Sequence, residues 1–244
     1  MPGPVDISII IPAYNEANRL PGTLNTIRDY LDKQAWTAEV IVVNDGSSDQ
    51  TVSVVENLLS RWSILRLVNN RGNYGKGYSV RHGALQAAGK IILFSDADLS
   101  APVTEIPKLI GPILNNDCDI AFGSRGIDRS LIGVHQSQWR EVSGMVFNLL
   151  VRLTIGLPFK DTQCGFKAFR REAALPIFQR QTIIGFGFDP EVLYIGRKQG
   201  FRMEEIPVRW NHVDGTTVRF LKDSLKMFLD LLLIRWNDLR GKYN

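Results

Sequence analysis

Cysteine is scarce in this 244-residue chain, which has two, Cys118 and Cys164. They show neither the spacing of a zinc site nor a disulfide framework, which suits a reducing compartment. Long hydrophobic runs are missing too. The nearest, "FLKDSLKMFLDLLLIRW", is interrupted by Asp230 and Arg235, each costing about 3 kcal/mol at a bilayer centre. The chain is therefore not expected to cross a membrane by itself. No signal-peptide pattern precedes the first strand, since "MPGPVD" leads straight into it. There is no GxGxxG fingerprint and no GxxxxGK[ST] loop, which argues against ordinary hydride transfer and P-loop hydrolysis. No internal repeat or low-complexity block is visible.

What is present suits a globular chain with a substantial core: 44% hydrophobic and 22% charged residues. The net charge is +4, and the stretch from Arg197 onward, with ten Lys/Arg against six Asp/Glu, accounts for it. Such a region can meet phosphates, anionic lipid or nucleic acid, or form a solvated face. The excess is small and no recognition motif accompanies it, so a nucleic-acid binder is the weakest reading.

The first half alternates strand and helix patterns. "ISIIIPAYN" reads as a strand, then residues 21–34 as a helix with Leu24, Ile27 and Leu31 on one face. "AEVIVVNDG" is a second strand, and Asp49 is placed to N-cap a helix carrying Val52, Val55 and Leu59. "ILRLVNN", "IILFSD" and "DIAFGSR" supply three further strands with helices between them. This alternation predicts a mainly parallel sheet with helices on both faces. The second half is less regular: a helix over 140–155, a short segment "DTQCGFKAF", helices near 172–178 and 189–198, a strand "RMEEIPVRW" and a final amphipathic helix over 221–236. No linker separates an independent unit, so one domain over residues 1–244 is expected.

In such sheets ligands bind at the C-terminal ends of the strands. Polar and acidic groups gather there: "PAYNE", "NDG", "NNR", "DAD" and "GSR". Asp96 and Asp98, directly after an apolar strand, could hold a hard divalent cation, Mg²⁺ or Mn²⁺, which keeps waters and also binds substrate phosphates. Capping the next helix is the competing explanation for that pair. Tyr14 could pack against a base, and Glu16 and Asp45 could accept from ribose or base donors. A core ring for Tyr14 and a turn-capping role for Asp45 are the alternatives.

The ordered motifs "IIIPAYNE", "VIVVNDGSSDQT", "NNRGNYGKG", "FSDADLSAP", "GSR", "DTQCGFKAFRR", "GFGFDPEVLYIGRKQGF" and "EIPVRWNHVDGTTV" resemble the inverting family-two glycosyltransferases of the GT-A, Rossmann-like fold. The later motifs are similar to the polyprenyl-phosphate branch, the dolichyl-phosphate β-glucosyltransferases in particular, with the mannose synthases close. The resemblance implies a nucleotide-sugar pocket of Pro12, Tyr14, Glu16, Asp45, Lys76 and Asp96, and a metal at Asp96 and Asp98. Ser100 stands where mannose synthases of this type often carry an amide, which leaves a third protein ligand in doubt. It further implies Arg125 and Arg140 as phosphate-holding groups and His212 as a cationic contact on the loop "NHVDGTT". Asp161 would orient a basic side chain or the acceptor.

The implied reaction moves a hexose from a nucleoside-diphosphate sugar, UDP-glucose ahead of GDP-mannose, to polyprenyl phosphate. Residues 1–125 would form the donor half and 126–244 the acceptor half. The resemblance also places the chain peripherally at the cytoplasmic face of a membrane, with a small membrane protein as a further partner. The last helix would then be interfacial or, alternatively, packed in the core. Two other readings stand beside this one. The first is a soluble transferase acting on a saccharide hydroxyl with Asp161 as base. The second is a non-catalytic sugar-nucleotide-binding subunit that docks at a membrane.

Overall fold

The computed structural model describes residues 5–213 and 220–244, with the backbone alone at 220–224. The chain runs β1 (Ile7–Ala13), α1 (Leu20–Leu31), β2 (Ala38–Asn44), α2 (Thr51–Leu59), β3 (Leu65–Asn69), α3 (Lys76–Gln86), β4 (Ile91–Ser95), α4 (Ile106–Leu114) and β5 (Ile120–Ser124). It continues with β6 (Ile132–Val134), α5 (Gln138–Ile155), β7 (Phe166–Arg170), α6 (Arg171–Arg180), α7 (Phe188–Lys198), β8 (Met203–Pro207), β9 (Trp210–Asn211) and α8 (Phe220–Leu239).

β1 and β2 are runs of β-branched residues, whose stiff side chains fit a pleated surface. They are covered on both faces, with Ile9, Ile10, Ile11, Val40, Ile41, Val42 and Val43 no more than 1% exposed. Ile7, Ile9 and Ile11 face the core beneath α1, α2 and α4. Ile10 points the other way, into the core shared with α3, α5, α6, α7 and α8. Burying each such side chain contributes about 1.5–3 kcal/mol.

The main sheet has the order β3-β2-β1-β4-β7-β5-β8. It is parallel except at β7, which pairs antiparallel with both β4 and β5. The mainly parallel sheet follows the sequence expectation, and "DTQCGFKAF", read from sequence only as a short segment, holds a central strand. Lys167 breaks its apolar run, and the partner that makes a buried lysine tolerable lies in α7. "RMEEIPVRW" also divides: Pro207, which lacks an N–H for the ladder, ends β8, and β9 then joins β6 in a second, two-stranded sheet. Gln50 occupies the N-cap position of α2. Asp49 lies one residue earlier, its Oδ1 accepting from Thr51 N at 2.9 Å and its Oδ2 from Ala17 N at 3.1 Å.

α5 and α8 each carry two apolar faces. Phe147, Val151 and Ile155 of α5 and Leu231 and Ile234 of α8 are buried in the core. Trp139, Leu149, Leu153, Leu229, Trp236 and Leu239 stand exposed, Trp139 at 80%. The core-packing and surface-facing readings of the last helix thus apply to different sides of the same helix. The side chains of Leu221 and Lys222, and residues 214–217 of the "NHVDGTT" loop, lie outside the described residues. Among the described residues no helix is long and apolar enough to cross a membrane.

Candidate active site

Parallel strands bring Ala13, Asn44, Asn69, Ser95 and Ser124 to one rim, and the reversed β7 brings its first residue, Phe166, to the same place. The rim opens into a cleft of about 730 Å³. Ten of the eleven site residues expected from sequence line it: Pro12, Tyr14, Glu16, Asp45, Lys76, Asp96, Asp98, Arg125, Arg140 and His212. Asp161 sits behind it, lining a second cavity.

The turn after β4 carries the two carboxylates. Leu99 N donates to Asp96 O at 3.1 Å, and Asp98 Oδ1 accepts from Ser100 N at 2.9 Å. Leu99 adopts φ +49°, a left-handed conformation that costs a bulky residue roughly 1–2 kcal/mol. Strain of this kind persists only where surrounding structure imposes it. Lys76, the first residue of α3, reaches Asp96 Oδ1 with Nζ at 2.5 Å. Burial would favour the neutral amine, but Asp96 and Asp189 outweigh it and raise the lysine's affinity for its proton. On the other side of Asp96 lies Gly165. A Cβ there would fall 2.1 Å from Asp96 Oδ2, so only glycine lets the chain before β7 pass so close.

Glu16 approaches the same carboxylates. Burial raises its pKa, Arg19 at 3.1 Å lowers it, and Asp98, Asp49 and Asp96 raise it further. Among the described residues no group of three or more His, Cys, Asp or Glu is placed to hold a metal. Asp96 and Asp98 are the two carboxylates that this turn presents to the cleft. Two carboxylates with remaining positions for water and phosphate oxygens suit Mg²⁺ or Mn²⁺.

Asp45 is tied to the loop after β3. Its Oδ1 accepts from Asn70 Nδ2 at 2.8 Å and Tyr74 N at 3.0 Å, and its Oδ2 from Gly75 N at 2.7 Å. It shapes the wall that leads to Lys76 and retains a small lining surface. Tyr14 is 37% exposed with its ring open to the cleft. The adjoining Asn15 fixes its turn, Oδ1 accepting from Ser48 N at 2.8 Å.

Half-buried Arg125 and buried Asp161 form a fork. Arg125 Nε and Nη2 donate to Asp161 Oδ2 and Oδ1 at 2.6 and 2.9 Å. Asp161 also accepts from the N–H groups of Arg125 and Gln163, each at 3.0 Å. Burial pushes the carboxyl up, but Arg125 and these bonds prevail and hold it down at about 2. The Arg125 guanidinium lies 5.3 Å from the centre of the Trp210 ring, within cation–π range. His212 stacks 6.2 Å from the same ring, and its backbone N–H donates to Val134 O at 2.9 Å. Arg140 enters from α5, half-buried, and lines both cavities.

Three groups escaped the sequence reading. Lys167 and Asp189 make a buried ion pair, 2.5 Å apart, behind Lys76. Its signal was a lysine inside the apolar run "GFKAF". Gln163 and Trp210 line the junction with the second cavity. Asp230 lines the cleft from α8; read only as an interruption of a membrane span, it gave no sign of facing a site. Cys164, beside the fork, is buried with its thiol pushed up to about 12 by burial, and so stays protonated.

Residues 8–178 match Glycosyl transferase family 2. A dolichyl-phosphate beta-glucosyltransferase of Trichomonas vaginalis is 36% identical over 239 residues, spanning 94% of this chain and 73% of that protein. Proteins of the same name from Saccharomyces cerevisiae and Homo sapiens are 33% and 34% identical, each over 97% of this chain and 76% and 77% of their own lengths. Glucosyl-3-phosphoglycerate synthase from Mycobacterium tuberculosis, solved with Mn²⁺, UDP and phosphoglyceric acid, superposes with a TM-score of 0.66. It is 19% identical and covers 98% of this chain and 79% of its own. That likeness is one of fold, and it bears out the GT-A, Rossmann-like expectation.

Proposed function

Since the chain belongs to glycosyl transferase family 2 and is a glycosyltransferase, we propose that it transfers glucose from UDP-glucose to dolichyl or another polyprenyl phosphate, giving a β-linked product. The names of the relatives support the lipid-phosphate acceptor and the glucosyl group. The observation that carries the reading is the junction of two cavities. The polar cleft shares Arg125, Gln136, Arg140, Gln163, Trp210 and Met227 with a second cavity of about 540 Å³. That second cavity is lined by α5 and the neighbouring Met227 and Phe228 of α8, and its mostly apolar walls suit an isoprenoid. Two arginines at the meeting point suit a phosphate.

In this reading Tyr14, Glu16 and the Asp45 wall receive the nucleoside, while Lys76 and Arg125 face the diphosphate. A Mg²⁺ or Mn²⁺ held by Asp96 and Asp98 would supply charge neutralisation for the departing diphosphate. Arg140 and His212 hold the acceptor phosphate, whose oxygen is already anionic near neutral pH and attacks the anomeric carbon without a strong base. Residues 1–125 serve mainly the donor and 126–244 mainly the acceptor. The state of Asp161 favours this acceptor over a saccharide hydroxyl. A carboxylate held at about 2 and engaged in four hydrogen bonds is a poor proton acceptor and a good anchor for Arg125.

The exposed apolar stripes of α5 and α8 would rest in the lipid interface, at the cytoplasmic face, with a small membrane protein as a further contact. A panel of UDP- and GDP-sugars with polyprenyl phosphate and Mg²⁺ or Mn²⁺, read by product mass, tests the reaction. The expected product is polyprenyl-phosphate hexose from UDP-glucose. Turnover onto soluble saccharides with none onto lipid phosphate would overturn the assignment.

A further inference from the structure

Asp230 is buried, at 8% exposure, yet its Oδ2 has no hydrogen-bond partner among the described residues. A buried carboxylate oxygen without a donor is costly and rare in native proteins. Its surroundings explain why no protein group fills the gap. The carboxylate packs close to Gly187, where a Cβ would come within 2.3 Å of Oδ2. Burial raises the pKa of Asp230, Lys226 lowers it and Glu191 raises it again. Lys226, one helical turn earlier, lines the same cleft.

The neighbours of Asp230 locate it relative to the chemistry. Met227, on the preceding turn, has its sulfur 3.8 Å from Gln163 Nε2. Gln163 lies two residues before Gly165, which touches Asp96. Asp189, two residues beyond Gly187, pairs with Lys167 and helps hold Lys76 charged. Asp230 therefore borders the part of the cleft beyond the diphosphate turn, beside residues shared with the apolar cavity.

A carboxylate there repels a phosphate, and the described residues supply no cluster of metal ligands to accompany it. It suits a neutral donor of one hydrogen bond. Given the sugar-nucleotide reading above, on which this rests, we propose that Asp230 is a specificity-determining residue whose carboxylate, turning from Gly187 toward the cleft it lines, accepts a hydrogen bond from a hydroxyl of the transferred sugar. A site that pairs such a hydroxyl rejects analogues lacking it, because its own polar group is then left unpaired.

The test compares UDP with UDP-glucose by calorimetric titration in Mn²⁺, for the wild type, Asp230→Asn and Asp230→Ala. UDP affinity should stay within about twofold, while UDP-glucose affinity should fall roughly 10- to 100-fold in the Ala variant, the range for a hydrogen bond to a charged group. Asp230→Asn keeps the shape and should shift the ratio in the same direction if the Ala variant fails to fold. Across UDP-sugars deoxygenated at single positions, the one most damaging to the wild type should do little further harm to the variants. An unchanged ratio of UDP-glucose to UDP affinity, or an equal loss of both, overturns the proposal. A wild-type protein that binds no sugar nucleotide overturns the reading beneath it, and the wild-type titrations show that independently.

Discussion

Asp96 and Asp98 share one turn but have different company. Asp96 is held between Lys76 and Gly165, whereas Asp98 accepts from the backbone of its own turn through Oδ1 and lines the cleft. Asp98→Asn should therefore lower transfer by about 100-fold or more, the usual cost of removing electrostatic stabilisation of a departing group. The melting temperature should move by no more than about 2 °C, as a surface substitution does. Single-turnover kinetics beside a thermal melt checks both. Asp161 behaves differently because it is buried. Its pKa is lowered from 3.8 to about 2, so its contribution is present above pH 4 and lost as pH falls through 2. That ionisation is worth about 2 kcal/mol at neutral pH. Urea denaturation should show Asp161→Asn less stable than wild type by at least that amount at pH 7, with the gap narrowing toward pH 2. The rate should show no titration of Asp161 between pH 5 and 8; an acidic limb in that range that disappears in Asp161→Asn would contradict the anchor role.

Helices α5 and α8 concentrate the exposed apolar surface, and it can be altered without touching the cleft. Leu149→Glu with Leu153→Glu should cost little stability, since both side chains are exposed. Binding to liposomes containing polyprenyl phosphate should fall steeply in a pelleting assay, with the KM for the sugar nucleotide unchanged. Equal pelleting by the variant would remove these helices from the membrane contact. The same scale shows what the sequence made legible. β1, β2, β4 and β5 could be read because each is a local apolar run ending in polar residues, and the site residues at their ends came with them. β7 could not, because its identity depends on pairing with β4 and β5 and on Asp189, 22 residues away, neutralising Lys167. Asp230 was hidden for a related reason: helical periodicity shows which side it occupies, and only the packing of Gly187 shows what it faces.

Across the whole molecule, the Lys167–Asp189 pair joins β7 to α7 through the core behind the cleft. Lys167 also donates to Cys164 O at 2.6 Å and lies 5.5 Å from the centre of the Phe94 ring. Lys167→Met should destabilise by about 3–5 kcal/mol, since it leaves a buried acid unpaired. A melting temperature lower by roughly 6–20 °C is expected for a chain of this size. Lys167→Met with Asp189→Leu should recover part of that loss, which a double-mutant cycle of thermal melts measures.

β7 has a further consequence for how the chain is made. β4 is complete at Ser95 and β5 at Ser124, yet the strand that joins them comes only at Phe166–Arg170. Until then a nascent chain carries two unpaired strand edges bound for the deepest part of the sheet, the kind of surface that invites misassembly. The boundary at about residue 125 proposed between donor and acceptor work is therefore no seam in the folding of the sheet. A chimera that exchanges acceptor halves at that point would pair one protein's β4 with another's β7, whereas a junction placed after Arg170 keeps β4, β7 and β5 from a single parent.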